Sequence, residues 1–107
     1  HAFEHLIMQE IVAYLGYTNS DEELTYWHTY ENLEVDAVIG DARVAIEIKS
    51  KEHIGHDDKK GITEFAREHP DTKQIIVSKD RISRRSGNVD LYYVKDFLKA
   101  LWAGEII

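Results

Sequence analysis

The stretch from Leu33 to Lys51, LEVDAVIGDARVAIEIKSK, constrains this chain more than any other. Apolar and polar residues alternate with period two on both sides of Gly40-Asp41, which predicts two strands joined by a tight turn. Strict alternation sets Glu34, Asp36 and Val38 on one face of the first strand and Val35, Ala37 and Ile39 on the other. In the second strand Arg43, Ala45, Glu47 and Lys49 oppose Val44, Ile46 and Ile48. Two registers are open. A two-residue loop pairs Ile39 with Ala42 and makes Asp36 and Glu47 diagonal neighbours, whereas a four-residue loop over 40–43 sets them directly opposite. Either way carboxylates gather where like charges repel, so a positive partner is required. A divalent metal with Lys49 beside it fits that need.

The remainder of the chain must then supply a sheet and its cover. At 107 residues it is read as one domain, 1–107, with enough material for a single modest core. Cysteine is absent, which excludes disulfides and thiolate metal sites. No apolar run reaches the ~20 residues of a membrane span, so the expectation is a cytoplasmic protein with no membrane partner. A net charge of −7 argues against a general nucleic-acid coat but leaves room for a local basic groove. The chain starts on His1 and enters a helix at once, so it is expected to be a piece of something longer.

Residues 2–15 read as a helix closed by Gly16, with Phe3, Leu6, Ile7, Ile11 and Tyr14 at helical spacing. Glu4 and Glu10 fall on its apolar side, and an acid aimed at a core is costly unless paired, protonated or ligating; a wet first turn would also accommodate Glu4. LTYWHTY, 24–30, predicts a strand by its aromatic and β-branched content. A helix is expected from about Asp57 to Glu68, stopped by Pro70, then a buried strand over 73–78 running parallel to a neighbour, since a helical crossover precedes it. VDLYYV and KDFLKALW read as the last strand and helix. The resulting order is α-β-β-β-α-β-β-α, a mixed sheet flanked by helices.

Between Lys73 and Arg85 the cations Lys73, Lys79, Arg81, Arg84 and Arg85 face Asp80 alone, a local net of +4. Lys79, Arg81, Arg84 and Arg85 are therefore candidate phosphate contacts; an exposed loop kept soluble by its charge is the plainer account. HIGHDD, 53–58, imitates a metal cluster, but Gly55 interrupts it and both acids suit a helix start. A solvated loop is the better reading. No G-x-x-x-x-G-K-[ST] occurs, so ATP binding is not assigned to these residues.

Asp36, ten intervening residues and then Glu47-Ile48-Lys49 on paired strands resemble the D…ExK motif of the PD-(D/E)XK nuclease superfamily. Over nearly the whole chain, AFEHLIMQEIVAYL, the hairpin, KKGITEFAREHP, IIVS and FLKALWAGEII are similar to the C-terminal domain of unknown function in prokaryotic AAA+ ATPases. The resemblance implies an α/β, restriction-endonuclease-like α-β-β-β-α-β core with an added strand and C-terminal helix. It implies Lys49, Glu47 and Asp36 as catalytic residues. Mg²⁺ or Mn²⁺ would be held by Asp36 and Glu47, with the Ile48 carbonyl and Glu4 as further ligands. DNA and an upstream ATPase domain of the same parent chain are the implied partners, and a homo-oligomer stays open. Val35 stands where that superfamily has proline, which removes no ligand. The expected function is a metal-dependent DNA endonuclease or phosphodiesterase domain; the alternative is a nuclease-fold module that binds DNA or protein without cutting.

Overall fold

The computed structural model describes residues 2–107. Helix α1 (Ala2–Tyr17) is followed by strands β1 (Leu24–His28), β2 (Glu34–Ile39) and β3 (Val44–Lys49), helix α2 (Lys60–Glu68), strands β4 (Lys73–Ser78), β5 (Arg84–Ser86) and β6 (Val89–Tyr93), and helix α3 (Val94–Trp102). The strands form one mixed sheet in the order β1-β2-β3-β4-β6-β5. β3, β4 and β6 run parallel at its centre, while β1–β2, β2–β3 and β5–β6 are antiparallel pairs. The parallel partner expected for 73–78 is thus β3 on one side and β6 on the other. α1 and α3 cover one face, packing Ile7, Ile11, Phe97 and Leu101 on Ala37, Ile39, Ile46, Ile75 and Val77. α2 covers the other, packing Ile62 and Phe65 on Val35, Val38, Ala45 and Ile76. Continuous apolar runs such as Ile75-Ile76-Val77 follow from burial on both faces.

The departures from expectation have local causes. α1 runs past Gly16 because the Thr18 amide and hydroxyl both donate to the Tyr14 carbonyl, at 3.0 and 2.9 Å, and close its last turn. Leu6 lies on the outer side of that helix, 51% exposed, not in the apolar stripe. β1 stops at His28, because Thr29 opens the turn to β2 by donating to the Leu33 carbonyl. The first turn of the expected second helix is a 3₁₀ turn, His56–Lys59, and α2 proper starts at Lys60. The basic loop contains a short strand, β5, made by pairing across the tight turn at Gly87, whose φ of +63° favours glycine.

The decisive departure lies in β2. Thr25 pairs with Val38 but Trp27 pairs with Val35, so Asp36 and Ala37 together face the single residue Tyr26. That bulge breaks the alternation. Val35 joins Val38 on the α2 side, and Ala37 and Ile39 stay on the α1 side. The expectation that Val35, Ala37 and Ile39 share a face is therefore wrong.

Candidate active site

Two features of the hairpin bring the acids together. Ile39 pairs with Val44, Val38 with Ala45 and Ala37 with Ile46, so the loop is the four-residue one, 40–43. Continued one step, this register sets Asp36 opposite Glu47. The ladder between β2 and β3 ends at Ala37–Ile46, and there the Asp36 side chain takes the place of backbone: its Oδ2 accepts the Ile48 amide at 2.6 Å. The bulge at Asp36-Ala37 and this side-chain bond have the same consequence. The two strands part where the carboxylates sit, next to the carboxyl ends of the parallel strands, where open α/β sheets bind ligands.

Asp36 and Glu47 are buried, 7% and 2% exposed. The Lys49 ammonium touches Glu47 Oε2 at 2.9 Å, while Glu47 Oε1 is buried with no hydrogen-bond partner. Arg43 is not a competitor for Glu47, because it pairs with Glu22. Burial pushes the Asp36 carboxyl up to about 7; the Ile48 amide opposes this, and the charges of Glu4, Glu34 and Glu47 add to it. Burial likewise raises Glu47, against the pull of Lys49. Lys49 itself is lowered by burial, but the Glu47 carboxylate overrides that and holds it above its ordinary value. One ammonium thus serves two buried acids, and the site is short of positive charge.

That deficit, together with an unpartnered carboxylate oxygen, is what a hard divalent cation relieves. Asp36 and Glu47 fit such an ion as a two-carboxylate set, the kind that leaves Mg²⁺ several of its waters. Glu4 is not brought in as a third ligand: among the described residues no group of three or more metal-ligating side chains is assembled. Half-buried on α1, it acts on Asp36 through its charge alone. At Ile48 the amide, not the carbonyl, is the atom tied to the site. Glu10, the other acid on the apolar side of α1, accepts the Trp102 indole N–H at 3.0 Å.

Several contributors lie outside the expected set. Gly61, in the first turn of α2, is buried against the hairpin; a Cβ there would stand 2.7 Å from the Glu34 carbonyl and 3.0 Å from Glu47 Oε1. The absence of a side chain lets the positive end of α2 approach Glu47. A lone glycine inside the helical pattern KKGITEF was the available signal. Tyr26, opposite the bulge, donates to Glu34 Oε2 at 2.8 Å on the rim. Asp58 is not a metal ligand of the HIGHDD segment and not a solvated residue either: it accepts Lys51 Nζ at 2.8 Å and the Gly55 amide at 2.8 Å, fixing the loop after β3.

The basic segment is sorted by the fold. Arg84 is bound to Asp80 at 3.2 Å and to two backbone carbonyls, and Arg85 to Asp90 at 3.0 Å. Both are thus paired within the fold, Arg84 partly buried and Arg85 in an exposed ion pair. Lys79 and Arg81 are exposed and rest on aromatic rings. A family model described as "Domain of unknown function (DUF4143)" matches residues 1–97. The chain belongs to the DUF4143 family. That match takes in all six strands and the first turn of α3, hence every element that builds the site of this DUF4143 domain. No curated protein and no solved structure matches the chain. No helix among the described residues is long and apolar enough to cross a membrane.

Proposed function

We propose that this DUF4143 domain is a PD-(D/E)XK-type, restriction-endonuclease-like nuclease domain of an AAA+ ATPase, hydrolysing DNA phosphodiester bonds with Mg²⁺ or Mn²⁺. The observation that carries the reading is the juxtaposition of buried Asp36 and Glu47 at the point where β2 and β3 part, with Lys49 at 2.9 Å from Glu47. A solvated hairpin face bearing a Glu-Lys pair would not bury two acids and leave one oxygen unpaired. Asp36 and Glu47 would hold the cation, which when bound lowers the pKa of water and neutralises charge on the phosphate.

The chain's own groups then have distinct tasks. Lys49 would orient the attacking water and offset negative charge on the scissile group. The Ile48 amide keeps Asp36 aimed between the strands, and α2 presses Glu47 from behind through Gly61. Glu4 adds negative field without entering the ligand set.

The test is incubation of the full-length protein with linear, branched and single-stranded DNA in Mn²⁺. Cleavage that falls at least a hundredfold in Glu47→Gln and in Lys49→Ala is expected. Absence of cleavage by the wild type, or cleavage indifferent to both changes, refutes the reading. A second reading, a DNA- or protein-binding module that does not cut, draws on the contact that already engages Lys49 with Glu47. It predicts binding that persists under chelation and in Asp36→Asn.

A further inference from the structure

The five cations of the basic segment do not have equal standing. Lys73 donates to the Glu105 carbonyl at 2.7 Å, Arg84 is held by Asp80 and Arg85 by Asp90. Lys79 and Arg81 have no carboxylate partner among the described residues. The Lys79 ammonium lies 5.1 Å from the centre of the Phe3 ring and the Arg81 guanidinium 6.0 Å from that of Tyr93. An aromatic face orients a cation without cancelling its charge, so these two remain available to an anion.

Their placement is specific. Lys49 pairs with Ser78 across β3 and β4, and Ser78 with Tyr93 across β4 and β6, forming one row over the carboxyl ends of the three parallel strands. Two strand spacings, roughly 10 Å, separate the ends of this row. Lys79 follows Ser78 directly, and its amide donates to the Lys51 carbonyl at 2.9 Å. Lys49 leaves the sheet on the α2 side, two residues after Glu47, whereas Lys79 lies on Phe3 of α1. A hollow of about 410 Å³ holds Phe3, Lys79, Arg81 and Tyr93 along this edge, with Glu52 as its acid.

We propose that Lys79 and Arg81, seated on Phe3 and Tyr93, form a phosphodiester-binding track that carries a nucleic-acid strand over the carboxyl edge of the sheet, from Lys49 on one face to α1 on the other. This rests on the reading that the substrate is a nucleic acid. It assigns the binding charge to these two cations and away from Arg84 and Arg85, and it makes Glu52 a brake on affinity.

The test is fluorescence anisotropy with a fluorescein-labelled single strand and with its duplex, using the full-length protein in EDTA over a salt series. The Lys79→Gln/Arg81→Gln pair is expected to lose tenfold or more in affinity in at least one arm. The slope of log affinity on log salt should flatten by about 1.4 for a single strand or about 1.8 for duplex. The arm that responds identifies the strand state that is bound. Glu52→Gln should tighten binding several-fold, and Arg85→Ala should change it less than twofold. All the altered side chains are exposed, and circular dichroism melts check that each variant folds. No wild-type binding in either arm, an unchanged affinity in the pair, or an equal loss in Arg85→Ala overturns the track. The two readings fail separately: weakened binding by the pair with no cleavage by the wild type removes the nuclease and keeps the track. Cleavage with unchanged binding by the pair does the reverse.

Discussion

Asp36 makes the stability of the metal-free domain run opposite to that of most carboxylates. Its ordinary value is 3.8, and burial raises it to about 7 in the folded state. A carboxyl raised on folding contributes fully below its unfolded pKa, and that contribution is lost as pH rises through the folded value. At pH 5 the folded carboxyl is still protonated while the unfolded one is largely ionised; at pH 8 both are ionised, and the Ile48 amide offsets only part of the cost of the buried charge. Between these points the loss is on the order of 2–3 kcal/mol, taking about 1.4 kcal/mol per pKa unit. For a domain of this size that is about 10 °C in Tm. Carboxyls held below their ordinary value, such as Asp58 and Asp80, are ionised in both states throughout this window and do not contribute to the slope, whereas Glu47, raised by burial, adds a loss in the same direction that Asp36→Asn leaves in place. Asp36→Asn keeps an oxygen for the Ile48 amide and abolishes the titration. Thermal melts in EDTA at pH 5 and pH 8 should therefore show a fall for the wild type and a smaller one for Asp36→Asn, in which only Glu47 still titrates against burial. Mn²⁺ at pH 8 should recover the wild type selectively. A wild-type Tm that is flat or rises with pH, or an equal slope in the variant, refutes the argument that burial governs this acid.

Other changes have separate signatures. Gly61→Ala forces a Cβ against the Glu34 carbonyl and Glu47 Oε1; a cost of about 1–3 kcal/mol in urea denaturation should accompany weaker Mn²⁺ binding by calorimetry. Asp80→Ala leaves the Ile54 and Ile82 amides and Arg84 without their shared acceptor and should cost roughly 2–4 kcal/mol. The Ile54 amide holds the Asp80 carboxyl below its ordinary value, so its contribution is present above about pH 4 and lost as pH falls through the folded value. The acid limb of the wild-type melting profile should be shallower in this variant. Trp102→Phe keeps a ring against Tyr14 but removes the bond to Glu10; Tm should move by an amount equivalent to under about 1 kcal/mol.

The mixed sheet and its helical cover were legible because they follow from local pattern. Period two at 33–51, the apolar run Ile75-Ile76-Val77 and the helical stripe with Phe97 and Leu101 each state which surface must be buried. What was hidden depends on residues distant in sequence. β5 exists because β6 supplies its hydrogen bonds; three polar residues, Arg84 to Ser86, carry no pattern of their own. Likewise the basic segment reads as a single charge of one sign, and only the fold shows Asp90 and Asp80 paired with Arg85 and Arg84. A linear count of cations gives each the same weight. Coulomb energy weights them by what lies within a few ångströms.

The acids of the site combine both cases. Alternation alone placed Asp36 and Glu47 on facing strands, but it also placed Val35 on the wrong side, since a bulge is decided by two strands together. Val35 and Val38 must both reach the α2 core while Ala37 and Ile39 reach the α1 core, and four apolar demands cannot be met by strict period two. One extra residue in β2 satisfies all four. The strand loses its ladder bond to β3 beyond Ala37, and Asp36 Oδ2 takes up the freed Ile48 amide. Packing on two faces, not the acids themselves, thus opens the hairpin. The carboxylates occupy the gap it leaves, and Gly61 lets α2 close over them.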